Sequence, residues 1–319
     1  MADIGQRTGQ NFAFARAVAI LLVFAGHFGT GIEFFWVAVT VGLFVFSFSS
    51  GYFTSAKYHG AWDLGAFWRN KLLRLGPALF LLNAFLLALF LLQGREGIWT
   101  WQTAAAMLGW KGFLTWFRLE NPSPFGAGLW FLTLLLLFYA LYPLLRRLNE
   151  SRKAAYAVAC VSLLAAVALQ YRYPMGHALW QTAWGFVFGV CVQRTRWSVP
   201  TWLSAVMGMV LAASMAVLNL VFVVKELNVC LLFAIAACAV LWLKDAALPP
   251  RLARALKGIS AITLEIYILH TYLFVHYAGS AAVHFLSSLG IVLLVAWLLA
   301  RAALMLRHFT ERHMSGTPG

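Results

Sequence analysis

Long apolar runs alternate along the chain with short polar or basic stretches. A helix needs roughly 20 mainly apolar residues to cross the hydrocarbon core of a bilayer, and shorter runs pack inside proteins instead. Runs of suitable length, bounded by charge or turn residues, lie near 12–29, 35–54, 74–93, 128–145, 154–170, 178–193, 201–223, 227–243, 259–278 and 285–306. The pattern predicts an all-α polytopic membrane bundle of about ten transmembrane helices. It forms a single integral-membrane domain over 1–319, with a hydrophilic tail from about 308. An even number of spans puts both termini on one side. If that side is the cytoplasm, only Arg95, Lys111, Arg118, Arg172 and Lys225 of the 24 lysines and arginines fall opposite. Basic residues are retained on the cytoplasmic side, so this bias sets both termini there.

Composition supports this assignment. The chain of 319 residues is 62% hydrophobic and 11% charged, with a mean hydropathy of +0.80, more apolar surface than a soluble domain of that length can bury. Many of the 14 tryptophans fall at the edges of runs, where amphipathic rings prefer the headgroup level. The net charge of +14 does not imply nucleic acid, because no basic cluster is interleaved with aromatics in a soluble segment. Cys160, Cys191, Cys230 and Cys238 lie inside apolar runs without metal-ligand or redox spacing, and no metal is expected. Arg7 and Arg16 before the first run resemble a secretory signal. Against that, no small-residue cleavage site follows and the apolar runs continue. No internal repeat and no separate catalytic domain are expected, so any chemistry must use the bundle.

Few titratable residues lie within the runs. Arg16 and His27, eleven residues apart, share one helix face and are separated by about 16 Å along the axis. Polar groups at membrane depth are costly and tend to mark a functional path. The bland alternative is that Arg16 anchors the helix by snorkelling and His27 sits at the interface. Glu265 and His270 lie in ISAITLEIYILHTYLF, and a straight helix from Lys257 carries His270 about 20 Å outward, to the depth of His27. The two histidines could therefore meet. Glu265 falls nearer the middle, as a functional group or a polar brace. Before the third run, Arg69, Lys71 and Arg74 precede Pro77; they could clamp phosphates or simply flank a span. The segment from Gln93 to Gly128, with Trp99, Trp101, Trp110 and Trp116, is too broken to span and reads as interfacial or re-entrant. Ser50-Gly51 does not form a nucleophile elbow and suits close helix packing. With no triad, zinc cluster or phosphate loop, His27 is the best candidate for a general base.

Five motifs, in order, resemble the acyltransferase-3 family of multispanning membrane acyltransferases. They are RAVAILLVFAGH, carrying Arg16 and His27, then VGLFVFSFSSGYF, KLLRLGP, GLWFLTLLLLFYALYPLL and TLEIYILH. The paired arginines of the family appear here as Lys71 and Arg74, and lysine lacks the bidentate fork. Leu135 stands where many members have a glutamate, and the chain is too short for the extracytoplasmic domain fused to some members.

The resemblance implies an O-acyltransferase, an enzyme moving an acyl group, commonly acetyl, from cytoplasmic acyl-coenzyme A to a hydroxyl of a carbohydrate or cell-surface glycan. It implies a multi-pass protein of a bacterial inner membrane, with membrane lipid and a carbohydrate acceptor as partners. Arg16, Lys71, Arg74 and Arg69 would bind acetyl-coenzyme A or another acyl-coenzyme A. His27 would be catalytic, and Trp130, His270 and Glu265 would contact the acceptor. Acyl group, acceptor, oligomeric state and the choice between direct transfer and an acyl-enzyme stay open. The rival readings are a transporter or exporter of a sugar or lipid-linked intermediate, with Arg16, His27 and Glu265 lining a passage, and a non-catalytic scaffold. Paired broken helices or an inverted repeat would favour the transporter.

Overall fold

The computed structural model describes residues 2–29, 31–58, 60, 62–126, 129–175, 178–275 and 280–314. Gly128, residues 276–278 of the ninth expected span and residues 315–319 of the expected tail lie outside the described residues. Among the described residues the secondary structure is helical. It runs α1 (Ala2–Phe28), α2 (Phe35–Lys57), α3 (Leu64–Leu92), α4 (Trp101–Met107), α5 (Lys111–Trp116), α6 (Trp130–Leu148), α7 (Arg152–Arg172), α8 (Leu179–Thr195), α9 (Thr201–Leu220), α10 (Asn228–Asp245), α11 (Pro250–Ala255), α12 (Lys257–Ala261), α13 (Thr263–Leu269) and α14 (Ala281–Met314). Eight of these are long and apolar enough to cross a membrane: α1, α2, α3, α6, α7, α9, α10 and α14.

The other two expected spans differ in kind. Helix α8 has 17 residues and is buried along most of its length. The run 259–278 is broken at Ile262, which separates α12 from α13. Ile262 and Thr263 are both β-branched, which lowers helix propensity. A straight helix from Lys257 to His270 is thereby corrected, and the depth drawn from it does not apply.

The chain divides into two compact units, Met1–Gly26 with Thr30–His59 and Leu137–Ala261, and His27–Gly29 with Gly60–Leu136 and Ile262–Gly319. In the first unit, α2 lies against α8 at backbone distance. A Cβ added to Gly51 would land on the carbonyl of Phe186, one added to Gly189 on that of Phe48, and one added to Gly185 on the Ser47 hydroxyl. The expectation that Ser50-Gly51 serves close packing agrees with this contact. Aromatic rings fill the space around the seam: Trp184 stacks on Phe188 at 4.7 Å and Phe138 on Phe186 at 4.4 Å. The start of α1 is tied to the end of α10. Asn11 Nδ2 donates to the carbonyls of Leu243 and Ala246, both at 2.8 Å, and Thr8 Oγ1 donates to that of Lys244 at 3.0 Å. These carbonyls belong to the last turn of a helix and its cap, where intrahelical donors run out. Only 11% of the span-forming window of α9 is buried. Its exposed Met207, Met209, Val210 and Val217 form the surface that a lipid solvent requires.

In the second unit, α3 begins at Asp63, whose carboxylate accepts from the backbone N–H groups of Gly65 and Ala66 at 3.1 and 2.7 Å. The segment after α3 folds into α4 and α5, too short to cross a bilayer singly. Side chains of the longer helices fasten it. Asn83 of α3 donates to the carbonyl of Met107 at 2.8 Å. Thr133 of α6 donates to that of Gly109 and accepts from the N–H of Gly112, both at 2.7 Å. At the first residue of α5, burial pushes the Lys111 amine below its usual lysine value.

Candidate active site

The histidines meet. Their ring centroids are 4.7 Å apart, with planes at 73°, an edge-to-face contact. His27 occupies the last turn of α1 and is exposed. His270 follows α13 and is 0% exposed. Phe274 and Phe285 both pack against Phe28, at 5.5 and 5.3 Å, and wall this end of α1 with aromatic carbon.

What holds His270 fixes its protonation pattern. Nδ1 lies 2.7 Å from the carbonyl oxygen of Tyr267, three residues earlier. A carbonyl only accepts, so Nδ1 carries the hydrogen and the neutral ring has its lone pair on Nε2. Among the described residues Nε2 has no hydrogen-bond partner. Tyr267 also accepts, through its hydroxyl, from the backbone N–H of Phe131 at 3.0 Å, and Tyr272 accepts from Gly126 N–H at 2.5 Å. Phe131 lies in the first turn of α6, where helix N–H groups lack partners of their own, and Gly126 lies in the segment ahead of it. Trp130 is the first residue of that helix and is half-buried. Within the second unit, ring contacts run from Trp130 to Phe131, Tyr267, His270 and His27 in turn. Glu265 is buried at 7% exposure in the first turn of α13.

The expected donor-binding residues separate. Arg16 is half-buried on α1. Lys71 is buried with its ammonium 5.4 Å from the centre of the Phe67 ring, a cation–π contact. Arg74 is exposed one turn further along α3, adjacent to Lys71 on the helix surface. Arg69 is exposed and lies about 200° around the axis from Lys71. Helix α3 places Lys71 beside Arg74 and turns Arg69 away.

Two features were missed from sequence. Tyr267 and Tyr272 had no assigned role, although their alternation with apolar residues near a histidine was visible. In the first unit, a cavity of about 130 Å³ is lined by Ser55, Tyr58, Tyr142, Arg146, Asn149 and Arg194, among others. Arg146 donates to the carbonyl of Tyr58 at 3.3 Å, and Arg194 donates to those of Asn149 and Glu150 at 2.8 and 2.7 Å. The two arginines cap the ends of α2 and α6, beyond the charge-bias role that sequence gave them.

A sequence model described as an acyltransferase domain matches residues 11–301 of this chain. No curated protein and no solved structure matches it.

Proposed function

The chain belongs to the acyltransferase-3 family and is a multi-pass membrane acyltransferase, and we propose that it moves an acyl group, acetyl first among the candidates, from cytoplasmic acyl-coenzyme A to a carbohydrate hydroxyl. The observation that carries the proposal is the exposed His27 set against a buried, oriented His270. His27 takes the proton of the acceptor hydroxyl as its oxygen attacks the thioester carbonyl; coenzyme A leaves as the thiol after the tetrahedral adduct collapses. Lys71 and Arg74 hold donor phosphates, and Arg16 stabilises the donor further along α1. Arg69 has no part in that pair. Trp130 presents an aromatic face to the sugar ring, and Glu265 stiffens the start of α13. In this reading the protein lies in a bacterial inner membrane and modifies a cell-surface glycan.

The broken run at Ile262 is the one observation favouring a transporter, since discontinuous helices line transport sites. Transport folds use such helices in pairs. The reading is tested by release of free coenzyme A from acetyl-coenzyme A, using purified protein in liposomes and a mixed glycan pool, with His27→Ala and Arg16→Ala alongside. Turnover that His27→Ala abolishes, and that Arg16→Ala slows by raising the donor KM, supports it. Full activity in His27→Ala removes the proposed base. Failure of the wild type to bind any acyl thioester leaves the transporter.

A further inference from the structure

We infer that His27 and His270 work as a dyad in which His270 is a positioning residue: its Nε2 accepts the single N–H of neutral His27 and so leaves the other His27 nitrogen as the base. The inference rests on the reading of His27 as base and goes beyond it by naming what sets its tautomer.

Three observations on His270 lead to this. Its Nδ1 is committed as a donor to the Tyr267 carbonyl at 2.7 Å. Its Nε2 is a lone pair on a ring with 0% exposure, and it has no hydrogen-bond partner among the described residues. A buried acceptor left unsatisfied keeps its full desolvation cost, so such atoms in native proteins call for a partner. The ring beside it that can supply an N–H is His27, at 4.7 Å between centroids. Two imidazoles joined by an N–H···N bond of ordinary length, about 3 Å, have centroids about 5 Å apart. The rings are already that close. From the edge-to-face contact the bond needs the exposed His27 ring to turn.

The chemical consequence follows from the bookkeeping of protons. A neutral imidazole has one N–H and one lone pair. Left alone in a polar environment it exchanges between two tautomers, and only one offers its lone pair to the acceptor hydroxyl. Donation to His270 Nε2 holds the productive one. When His27 takes the hydroxyl proton, the imidazolium keeps its N–H on Nε2 of a neutral ring, and the proton stays on His27 until it reaches the departing thiolate. His270 itself need not gain or lose a proton. The Tyr267 carbonyl orients His270 in the same way that a carbonyl or carboxylate orients a histidine ligand or base elsewhere.

The two nitrogens of His270 are separable by substitution. Asparagine places a side-chain amide where Nδ1 was and can keep the Tyr267 contact without an acceptor at Nε2. Glutamine places an amide oxygen at the Nε2 position. The measurement is ¹⁵N spectroscopy of histidine-labelled full-length protein in lipid nanodiscs, with His27 assigned by the peaks lost in His27→Gln. In the wild type we expect one protonated and one lone-pair nitrogen for His27, with a through-hydrogen-bond ¹⁵N–¹⁵N coupling to His270. His270→Gln should keep the split tautomer and lose the coupling, whereas His270→Asn should give averaged tautomers. An averaged His27 in the wild type, or a His27 spectrum unchanged in His270→Asn, overturns the dyad. The readout needs no acyl acceptor, so it stands whether or not coenzyme A is released. Where turnover is measurable, His270→Gln should retain at least a tenth of wild-type kcat and His270→Asn should fall below a hundredth, at unchanged donor KM.

Discussion

Along the seam between α2 and α8 the helices touch through missing side chains, whereas around His270 they are joined by polar ones. Gly51, Gly185 and Gly189 bring the seam to backbone contact, and stacked aromatics fill the rest. Around His270, two tyrosine hydroxyls accept from the backbone N–H groups of Gly126 and Phe131, and one carbonyl orients a histidine. Lipid supplies no hydrophobic drive between helices, so a seam gains stability only from close packing and a polar site only from satisfied hydrogen bonds. The difference separates the purposes. A close-packed seam tolerates no insertion, whereas the histidine site keeps the Nε2 lone pair of His270 without a hydrogen-bond partner among the described residues, where an N–H of His27 can reach it.

The strongest way to break the comparison is to fill the seam. Gly51→Leu places a side chain on the Phe186 backbone, which cannot yield as a flexible side chain would. We expect a loss of about 3 kcal/mol or more and little folded protein in detergent, read by size-exclusion profile and thermal unfolding. Gly290→Ala in α14 is the control, because a Cβ there meets nothing within 4 Å and helix propensity improves by about 0.5–1 kcal/mol. Equal yields of the two variants would mean that glycine contact does not hold the seam.

His27→Ala should do the converse. It removes a proton acceptor from an exposed position, so coenzyme A release should fall by about 10²–10⁴-fold while thermal unfolding stays where it was. A variant that unfolds early would show that His27 serves packing.

How far these regions were legible in advance follows the same division. The spans could be read because lipid imposes one length and one composition on every helix that faces it. The break at Ile262 could not, since a pair of β-branched residues lowers helix propensity only slightly and does not by itself end a helix. The Gly185 to Gly189 spacing, GFVFG, is a small-xxx-small pattern visible in the sequence, yet nothing there names α2 as the helix it faces. Of the three cations before Pro77, sequence could not tell that Lys71 would be buried against Phe67 while Arg69 faced away. The meeting of His27 with His270 was expected from depth along a straight helix. The helix is not straight, yet the rings meet at 4.7 Å, and the Tyr267 carbonyl orients His270 there.

A third test probes polar fastening away from the histidines. Asn11→Ala leaves the carbonyls of Leu243 and Ala246 without the two bonds they take from Nδ2. The side chain is 2% exposed, so water cannot easily replace it. We expect a loss of about 1–3 kcal/mol, read as faster hydrogen exchange near the end of α10, with coenzyme A release unchanged at a temperature where the variant is folded. A matching loss of activity would place the end of α10 in the reaction.

The finest test concerns Tyr267, whose carbonyl and hydroxyl have separate tasks. Tyr267→Phe removes the hydroxyl that accepts from the Phe131 N–H and leaves in place both the carbonyl that holds His270 and the ring against Phe131, at 5.8 Å. The first turn of a helix has no internal acceptor for its N–H groups, so the Phe131 amide should lose protection and exchange faster. The cost should be about 1 kcal/mol, the net value of one such bond. His270 keeps its anchor, so its Nδ1 resonance should hold while turnover falls less than tenfold through looser placement of Trp130. If turnover instead drops as far as in His27→Ala, the hydroxyl takes part in the chemistry and the site extends from two residues to three. If Phe131 exchange does not change, the start of α6 is held by packing, and the histidine site is closer in kind to the glycine seam than the hydrogen bonds suggest.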